Sequence, residues 1–170
     1  MKRNGFTLIE LFVVLTIVAF FFVLAIPNYI ADQHKMDAQL ARQQLFLDLR
    51  QIRLQAVKLQ YPTTLYFNTN HSYEILEYTE NQNGVWAQTP TIVKTVNFNS
   101  IYSQISVAQA GGKIVFSPSG MVDTGNTTLK PLKNSNGFIY YSITIQVQEG
   151  SYPLWVYSNG TTALLRNLYN

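Results

Sequence analysis

The sequence contains no cysteine, which excludes disulfide bridges, thiolate metal sites and cysteine nucleophiles together. Histidine is nearly as scarce, because His34 and His71 are the only two in 170 residues. Neither histidine has a ligand-like partner nearby in the sequence, so we interpret both as solvated surface residues and not as metal ligands. We therefore predict no metal site and no bound cofactor.

The common sequence patterns of catalytic sites are also missing. Gly111 and Gly112 form a lone turn dipeptide and not a glycine-rich phosphate loop. Ser119 lacks the small residues on both sides that a nucleophile elbow requires. The glutamates of "SYEILEYTE" recur every third residue and alternate between the faces of a strand, which gives weak support for a catalytic carboxylate pair. We predict that the chain is not an enzyme.

Charge is scarce and unevenly placed. Charged residues make up 12% of the chain, and Lys2 and Arg3 supply two units of its formal net charge of +3. The rest of the chain is thus close to neutral, and net charge gives little support for a polyanion-binding surface. Between positions 6 and 30 the only formally charged side chain is that of Glu10.

One long apolar run stands near the start of the chain. Residues 11–26 read "LFVVLTIVAFFFVLAI" and, with their flanks, reach the roughly 20 residues that a helix needs to cross a bilayer. The following "AIPNYIADQ" is a poor cleavage site for a secretory signal, so we interpret the run as a membrane anchor. Lys2 and Arg3 precede it, which predicts a cytoplasmic N-terminus and a body outside the cytoplasm.

A second helical segment follows the apolar run. One apolar stripe has spacings of 3, 4, 4, 3, 4 and 3, as an amphipathic helix requires. Its members are Ala38, Ala41, Leu45, Leu49, Ile52, Ala56 and Leu59. The basic residues Arg42, Arg50, Arg53 and Lys58 lie off this stripe, and we assign them to the solvated or snorkelling side. "QYP" at 60–62 ends the helix, and Pro27 predicts a kink inside it.

Beyond position 62 the sequence changes to short alternating or β-branched runs. They include "TTLYFN", "SYEILEY", "TIVKTVNF", "KIVFS", "FIYYSITIQVQ", "PLWVYS" and "TTALL", separated by turn signals such as Asn83-Gly84 and Asn159-Gly160. Six or seven such strands predict one antiparallel sheet or two small ones, covered on one face by the amphipathic helix. Residues 122–137 are interpreted as a polar loop. The fold class is therefore α+β.

The start of the chain, "KRNGFTLIEL", resembles the class III signal of type IV pilins and pseudopilins. The matching positions are Lys2, Arg3, Gly5, Phe6 and Glu10. The resemblance implies that a prepilin peptidase cuts between Gly5 and Phe6 and that the new N-terminus at Phe6 is methylated. It also implies that Glu10 serves subunit assembly by pairing with the N-terminal amine of a neighbouring subunit.

A carboxylate inside hydrocarbon costs about 2.5 to 3.5 kcal/mol on insertion scales, which is why a partner for Glu10 is expected. The alternative is that Glu10 lies close enough to the interface to snorkel and has no further role.

Two further blocks resemble the GspH/FimT group of minor pilins. They are "LRQIRLQAVKLQYPTTLYF" at 49–67 and "IVFSPSGMV" at 114–122. Taken alone, these blocks also fit the helix-to-strand junction and turn of any α+β domain. With the N-terminal signal, they imply a minor (pseudo)pilin of a type II secretion pseudopilus or type IV pilus, tip-proximal and involved in initiating assembly.

The resemblance also implies an organisation, a location and a set of partners. We expect a cleaved leader at 1–5, a transmembrane and polymerisation helix at 6–30, an amphipathic helix at 31–61 and a β-rich domain at 62–170. The chain would cross the inner membrane once, with its C-terminal domain in the periplasm, before it enters the filament. The expected partners are the prepilin peptidase, other major and minor pilins, the inner-membrane assembly platform and, before assembly, membrane lipid.

The alternative function is DNA binding in a competence or DNA-uptake pilus. Related minor pilins that bind DNA use arginines at a C-terminal hairpin, where phosphates need fixed cations. In the corresponding "SNGTTALL" this chain has Thr161, Thr162 and Ala163. A nucleic-acid partner would therefore depend on a patch assembled from Lys113, Lys130, Lys133 and Arg166.

Replacing Gly5 should block processing of the leader. Glycine at the cleavage site lets the backbone of this chain come close to the catalytic carboxylate pair of the prepilin peptidase. An added side chain would prevent that approach. We expect the Gly5→Ala variant, or one with a bulkier side chain, to accumulate uncleaved in an immunoblot of membranes. Normal cleavage of a bulky variant would contradict the peptidase assignment.

Overall fold

The fold is a long N-terminal helix packed on two antiparallel sheets, which confirms the predicted α+β class and selects two sheets over the single sheet that the sequence also allowed. The computed structural model describes residues 7–78, 90–102, 104–134, 136–148 and 150–164. Within the first range, only the backbone of residues 24 and 25 is described. Gly5, Phe6, Arg166 and the predicted Asn83-Gly84 turn lie outside these residues.

Helix α1 spans Leu8–Leu59 without interruption and, at 52 residues, is roughly 78 Å long. Pro27 lies inside it and has no N–H to donate to the carbonyl of Val23, but the helix continues on both sides. The kink at Pro27 stays a prediction. The helix ends where the sequence indicated, because Gln60 adopts a left-handed conformation with φ 59° just before Tyr61 and Pro62.

The predicted apolar stripe of α1 forms the centre of the core. Six of its members are fully buried, namely Ala38, Ala41, Leu45, Leu49, Ile52 and Ala56. Leu59, at the last position of the helix, is 41% exposed, so the buried stripe ends at Ala56. Alanine at three of the six positions leaves room for strands to approach the helix axis closely.

Sheet 1 has four strands, namely β1 (Thr63–Thr69), β2 (Ser72–Glu77), β3 (Thr91–Asn97) and β5 (Lys113–Phe116). They lie in the order β3-β2-β1-β5, and all neighbouring strands are antiparallel. The short helix α2 (Phe98–Ile101) follows β3 and buries Phe98.

Sheet 2 has five strands, of which β4, β7, β8 and β9 follow one another and β6 also pairs with β7. Their bounds are β4 (Ser106–Val107), β6 (Leu132–Lys133), β7 (Ile139–Val147), β8 (Gly150–Tyr157) and β9 (Thr162–Leu164). The two-residue strands β4 and β6 and helix α2 were not predicted. Helix α1 contacts strands of both sheets, so the sheets share one core.

Part of the predicted polar loop at 122–137 is ordered by pairing. Strand β6 lies within it, which corrects the interpretation of the whole stretch as a loop. Earlier in the loop, Thr128 Oγ1 accepts a hydrogen bond from the N–H of Lys113 at 2.9 Å, and Thr127 Oγ1 accepts one from Val115 at 3.1 Å. These hydroxyls cover the outer edge of β5 and satisfy its backbone donors.

A buried carboxylate on α1 ties the helix to sheet 1. Asp48 is 7% exposed at its side chain, accepts a hydrogen bond from the Tyr73 hydroxyl at 2.6 Å and forms an ion pair with Lys94 Nζ at 2.8 Å. Burial, together with the hydrogen bond to Asp48, raises the pKa of the Tyr73 hydroxyl far above its ordinary value. The partners satisfy a charge that would otherwise be costly to bury.

Arg53 lies off the buried stripe and is half-buried, and it also connects α1 to one turn from each sheet, a contact that the sequence analysis did not predict. Its Nε donates to the carbonyl of Gly120 at 2.9 Å, and a terminal guanidinium nitrogen donates to that of Asn159 at 3.3 Å. The first turn follows β5 and the second follows β8. The planar guanidinium presents donors in fixed directions, which lets one side chain reach both carbonyls.

Gly160 should be essential for this contact between the turns. It has φ +80°, and a Cβ there would overlap the Gly120 carbonyl oxygen and lie 2.8 Å from Arg53 Nε. We expect Gly160→Ala to lower the free energy of unfolding by at least about 3 kcal/mol, measured by denaturant unfolding of the detergent-solubilised protein.

Gly137 is the matched control, because it has φ +79° and nothing within 4 Å of an added Cβ. Gly137→Ala should cost only the backbone strain of about 1 to 2 kcal/mol. Equal losses in the two variants would show that the contact with Gly120 does not matter.

Candidate assembly surface

The N-terminal half of α1 is covered by no other described part of the chain. Every described side chain between positions 8 and 30 is exposed, although nearly all of them are apolar. Among the described residues, α1 is the one helix long and apolar enough to cross a membrane. An apolar surface of this size needs lipid or protein around it.

Thr7 and Glu10 form a capping box at the start of α1. Glu10 Oε2 accepts hydrogen bonds from the backbone N–H and the hydroxyl of Thr7, both at 3.0 Å. The Thr7 hydroxyl in turn accepts one from the N–H of Glu10 at 3.3 Å. The carboxylate also lies at the positive end of the helix dipole. Glu10 thus has a partner within its own chain.

Sequence reasoning missed this capping role, although its signal was available. A threonine followed three residues later by glutamate and an apolar run, as in Thr7 to Glu10, is the pattern of a capping box. The pairing of Glu10 with a neighbouring amine and its snorkelling to the interface both stay predictions.

A second apolar stripe runs along the C-terminal half of α1, on the side facing solvent. Its members are Met36, Leu40, Leu47 and Leu54, which are 63%, 49%, 55% and 68% exposed. At 100° per residue they lie within a narrow band opposite the buried stripe. This exposed stripe follows directly on the apolar N-terminal half. Sequence analysis overlooked it, although spacings of 4, 7 and 7 residues would have revealed it.

Three of the four candidate DNA-contacting residues lie in the part of the chain that the structure describes, and they are distributed over both sheets. Lys113 begins β5 of sheet 1, Lys133 lies in β6 of sheet 2, and Lys130 precedes β6 in the connecting loop. The Asn126 side chain donates to Asp123 at 2.7 Å and, with the charge of Lys113, holds the pKa of the Asp123 carboxyl below its usual range. An acidic group therefore lies beside the first of these lysines.

The two histidines lie in different settings. His34 is on α1, whereas His71 lies in the turn between β1 and β2 with Nδ1 2.7 Å from the carbonyl oxygen of Ile105. His71 is exposed, as predicted, and its ring also has this contact with the backbone. In the part of the chain that the structure describes, no three His, Cys, Asp or Glu side chains could hold a metal ion together.

Comparison with known proteins identifies the family. The family model described as type II transport protein GspH matches residues 41–149, which include most of the buried stripe and the seven strands from β1 to β7. The chain belongs to the GspH family. A sequence comparison with curated proteins found no significant match.

The fold also matches solved structures at low sequence identity. The type IV minor pilin FimU of Pseudomonas aeruginosa, in crystals of space group P21, is 14% identical and matches with a TM-score of 0.54 over 78% of this chain and 90% of FimU. Its P65 crystal form gives a TM-score of 0.50 at 14% identity, covering 75% of this chain and 92% of FimU. This likeness confirms the pilin fold, and the family match confirms the predicted GspH/FimT grouping.

Proposed function

We propose that the chain is a minor subunit of a pseudopilus or pilus, held in the membrane by α1 before assembly and packed through α1 against other subunits afterwards. The observation that carries this proposal is the apolar N-terminal half of α1, which no described residue of the chain covers. The core of a filament built from packed apolar helices is as apolar as the interior of a lipid bilayer. One surface of α1 therefore suits both environments. Membership of the GspH family and the pilin fold support the filament as the second environment.

The same proposal includes the cleavage of the leader, the orientation of the chain in the membrane and its position in the filament. A prepilin peptidase removes residues 1–5, and the amine of Phe6 becomes the N-terminus. The globular domain lies outside the cytoplasmic membrane, and the subunit takes a tip-proximal position. Lys2 and Arg3 before the apolar run support the orientation.

Glu10 is proposed to attract the N-terminal amine of a neighbouring subunit. Both donors of Thr7 reach the same carboxylate oxygen, Oε2, and no hydrogen bond to Oε1 comes from the residues that the structure describes, so Oε1 can accept from a cation. A charge pair in a low-dielectric core depends steeply on distance and would set the axial register of the incoming subunit. The capping box holds the carboxylate at the start of the helix, where such an amine would arrive.

Substituting Glu10 should impair assembly without preventing membrane insertion. Glu10→Ala removes the carboxylate and its capping bonds, and also lowers the charge cost of insertion. We expect the variant to be present in membranes and reduced at least tenfold in the sheared filament fraction, measured by immunoblot of both fractions.

Thr7→Ala is the control that separates capping from pairing. It removes the hydroxyl of the capping box but leaves the carboxylate of Glu10 in place. Assembly close to that of the unmodified chain is expected. If Thr7→Ala and Glu10→Ala impair assembly equally, capping alone explains the effect and the pairing is refuted.

The exposed stripe of α1 should extend the same packing surface beyond the membrane. Leu47→Glu places a charge where a neighbouring helix would pack and should strongly reduce incorporation into filaments. Gln39→Glu adds the same charge at an exposed position about 80° away around the helix, and should assemble normally.

Leu47→Glu and Gln39→Glu should first be shown to have equal free energies of unfolding, so that a difference in assembly does not reflect a difference in folding. Equal incorporation of Leu47→Glu and Gln39→Glu into the filament fraction would show that the exposed stripe does not contact another subunit.

A further inference from the structure

The face of sheet 2 that points away from α1 has an unusual composition, and we call it the open face. Along β7 and β8, buried residues alternate with half-buried or exposed ones, and the second set forms this face. Its members are Tyr140, Ser142, Thr144 and Gln146 on β7, and Ser151, Pro153, Trp155 and Tyr157 on β8. The open face therefore presents its side chains to the outside of the domain.

Three aromatic rings gather at one end of the open face. The ring centroids of Tyr140 and Trp155 are 4.4 Å apart, and those of Tyr140 and Tyr157 are 6.1 Å apart. The Trp155 and Tyr157 rings meet edge to face at 6.5 Å. All three side chains are half-buried, so each ring supports its neighbours while part of its surface stays accessible.

The other end of the open face is polar and concave. A shallow groove of about 440 Å³ lies beside the β7–β8 turn. Its polar lining consists of Gln104, Ser106, Gln146, Gln148 and Ser151. Each of these side chains offers a neutral hydrogen-bond donor and acceptor. Six residues of strand separate Tyr140 from Gln146, so the groove lies on the order of 20 Å from the aromatic rings.

No charged side chain belongs to the open face within the described residues of β7 and β8 or the groove lining. The corresponding face of sheet 1 differs, because it carries Glu74 and Lys113 on either side of Tyr66. Among the described residues, the lack of charge is therefore a property of the open face of β7 and β8 and is not shared by the outer face of sheet 1.

We propose that the open face of sheet 2 binds a neutral polysaccharide lying along the β7–β8 hairpin. The C–H groups on a face of a pyranose ring carry partial positive charge and stack on the negative π faces of aromatic rings. Its hydroxyls both donate and accept hydrogen bonds, which matches the serine, threonine and glutamine side chains further along the hairpin. A linear chain of sugars can contact the aromatic end and the groove at once.

Other macromolecules match this face less well. A nucleic acid needs cations for its phosphates, and the described residues of the face supply none. A protein interface typically has an apolar centre surrounded by a polar rim. Here the apolar and polar parts lie at opposite ends of the same two strands. This arrangement favours a linear ligand and is independent of how α1 assembles.

The test is binding of cellohexaose and chitohexaose to the full chain, solubilised in a detergent without a sugar head group. Calorimetry should show binding of at least one of the two oligosaccharides, with an affinity that changes less than twofold between low and high salt. Trp155→Ala should weaken binding at least tenfold, since one aromatic stacking partner is lost. Trp155→Phe should retain most of the affinity, which separates loss of stacking from loss of the fold.

Tyr66→Ala is the matched control, because Tyr66 is a half-buried tyrosine on the outer face of sheet 1. Its affinity for the oligosaccharide should equal that of the unmodified chain. The proposal is overturned if neither oligosaccharide binds, or if Trp155→Ala and Tyr66→Ala weaken binding equally. It is also overturned if Trp155→Ala leaves oligosaccharide binding intact but prevents association with a partner pilin, which would make the open face a protein interface.

Discussion

The packing of one side of α1 against both sheets is the contact on which the rest of the structure depends. Leu45, Leu49 and Ile52 are fully buried there, and each contributes roughly 1.5 to 3 kcal/mol by leaving water. Asp48 and Arg53 add directional contacts on either side of this packing, one to sheet 1 and the other to turns from both sheets. The globular domain thereby holds a long helix whose remaining surfaces stay available for other contacts.

Those remaining surfaces explain how a small domain can belong to a large assembly. The N-terminal half of α1 is apolar nearly all round, with Glu10 as the one charged side chain between positions 8 and 30, and the exposed stripe continues that surface onto the part of the helix that carries the sheets. A helix that is apolar all round is stable only in a membrane or in the core of a larger structure. The chain belongs to the GspH family and shares the pilin fold, which is the basis for proposing a filament as that larger structure.

Much of the fold could be predicted because its signals are local. The buried stripe, the end of α1 before Pro62 and the seven longer strands all follow from spacing and turn residues. The contacts of Arg53 could not be predicted from the sequence. They join Arg53 to Gly120 and Asn159, which are 67 and 106 residues further along the chain and are brought close only by folding. The two-residue strands β4 and β6 carry no periodicity of their own. At the candidate site, the sequence singled out the carboxylate of Glu10 but its capping hydrogen bonds with Thr7 were overlooked. Gly5 and Phe6 lie outside the described residues, so their predicted roles are not tested.

The central claim is that the outward side of α1 contacts another subunit in the assembled filament. Since the chain has no cysteine, a single Leu47→Cys substitution can carry a thiol-linked photoactivatable crosslinker at one known position. Illumination of isolated filaments should yield an adduct between this chain and another pilin, whereas the same label on a Gln39→Cys variant should yield little. Equal adducts from both positions, or none from position 47 in chains that have entered filaments, would contradict the account.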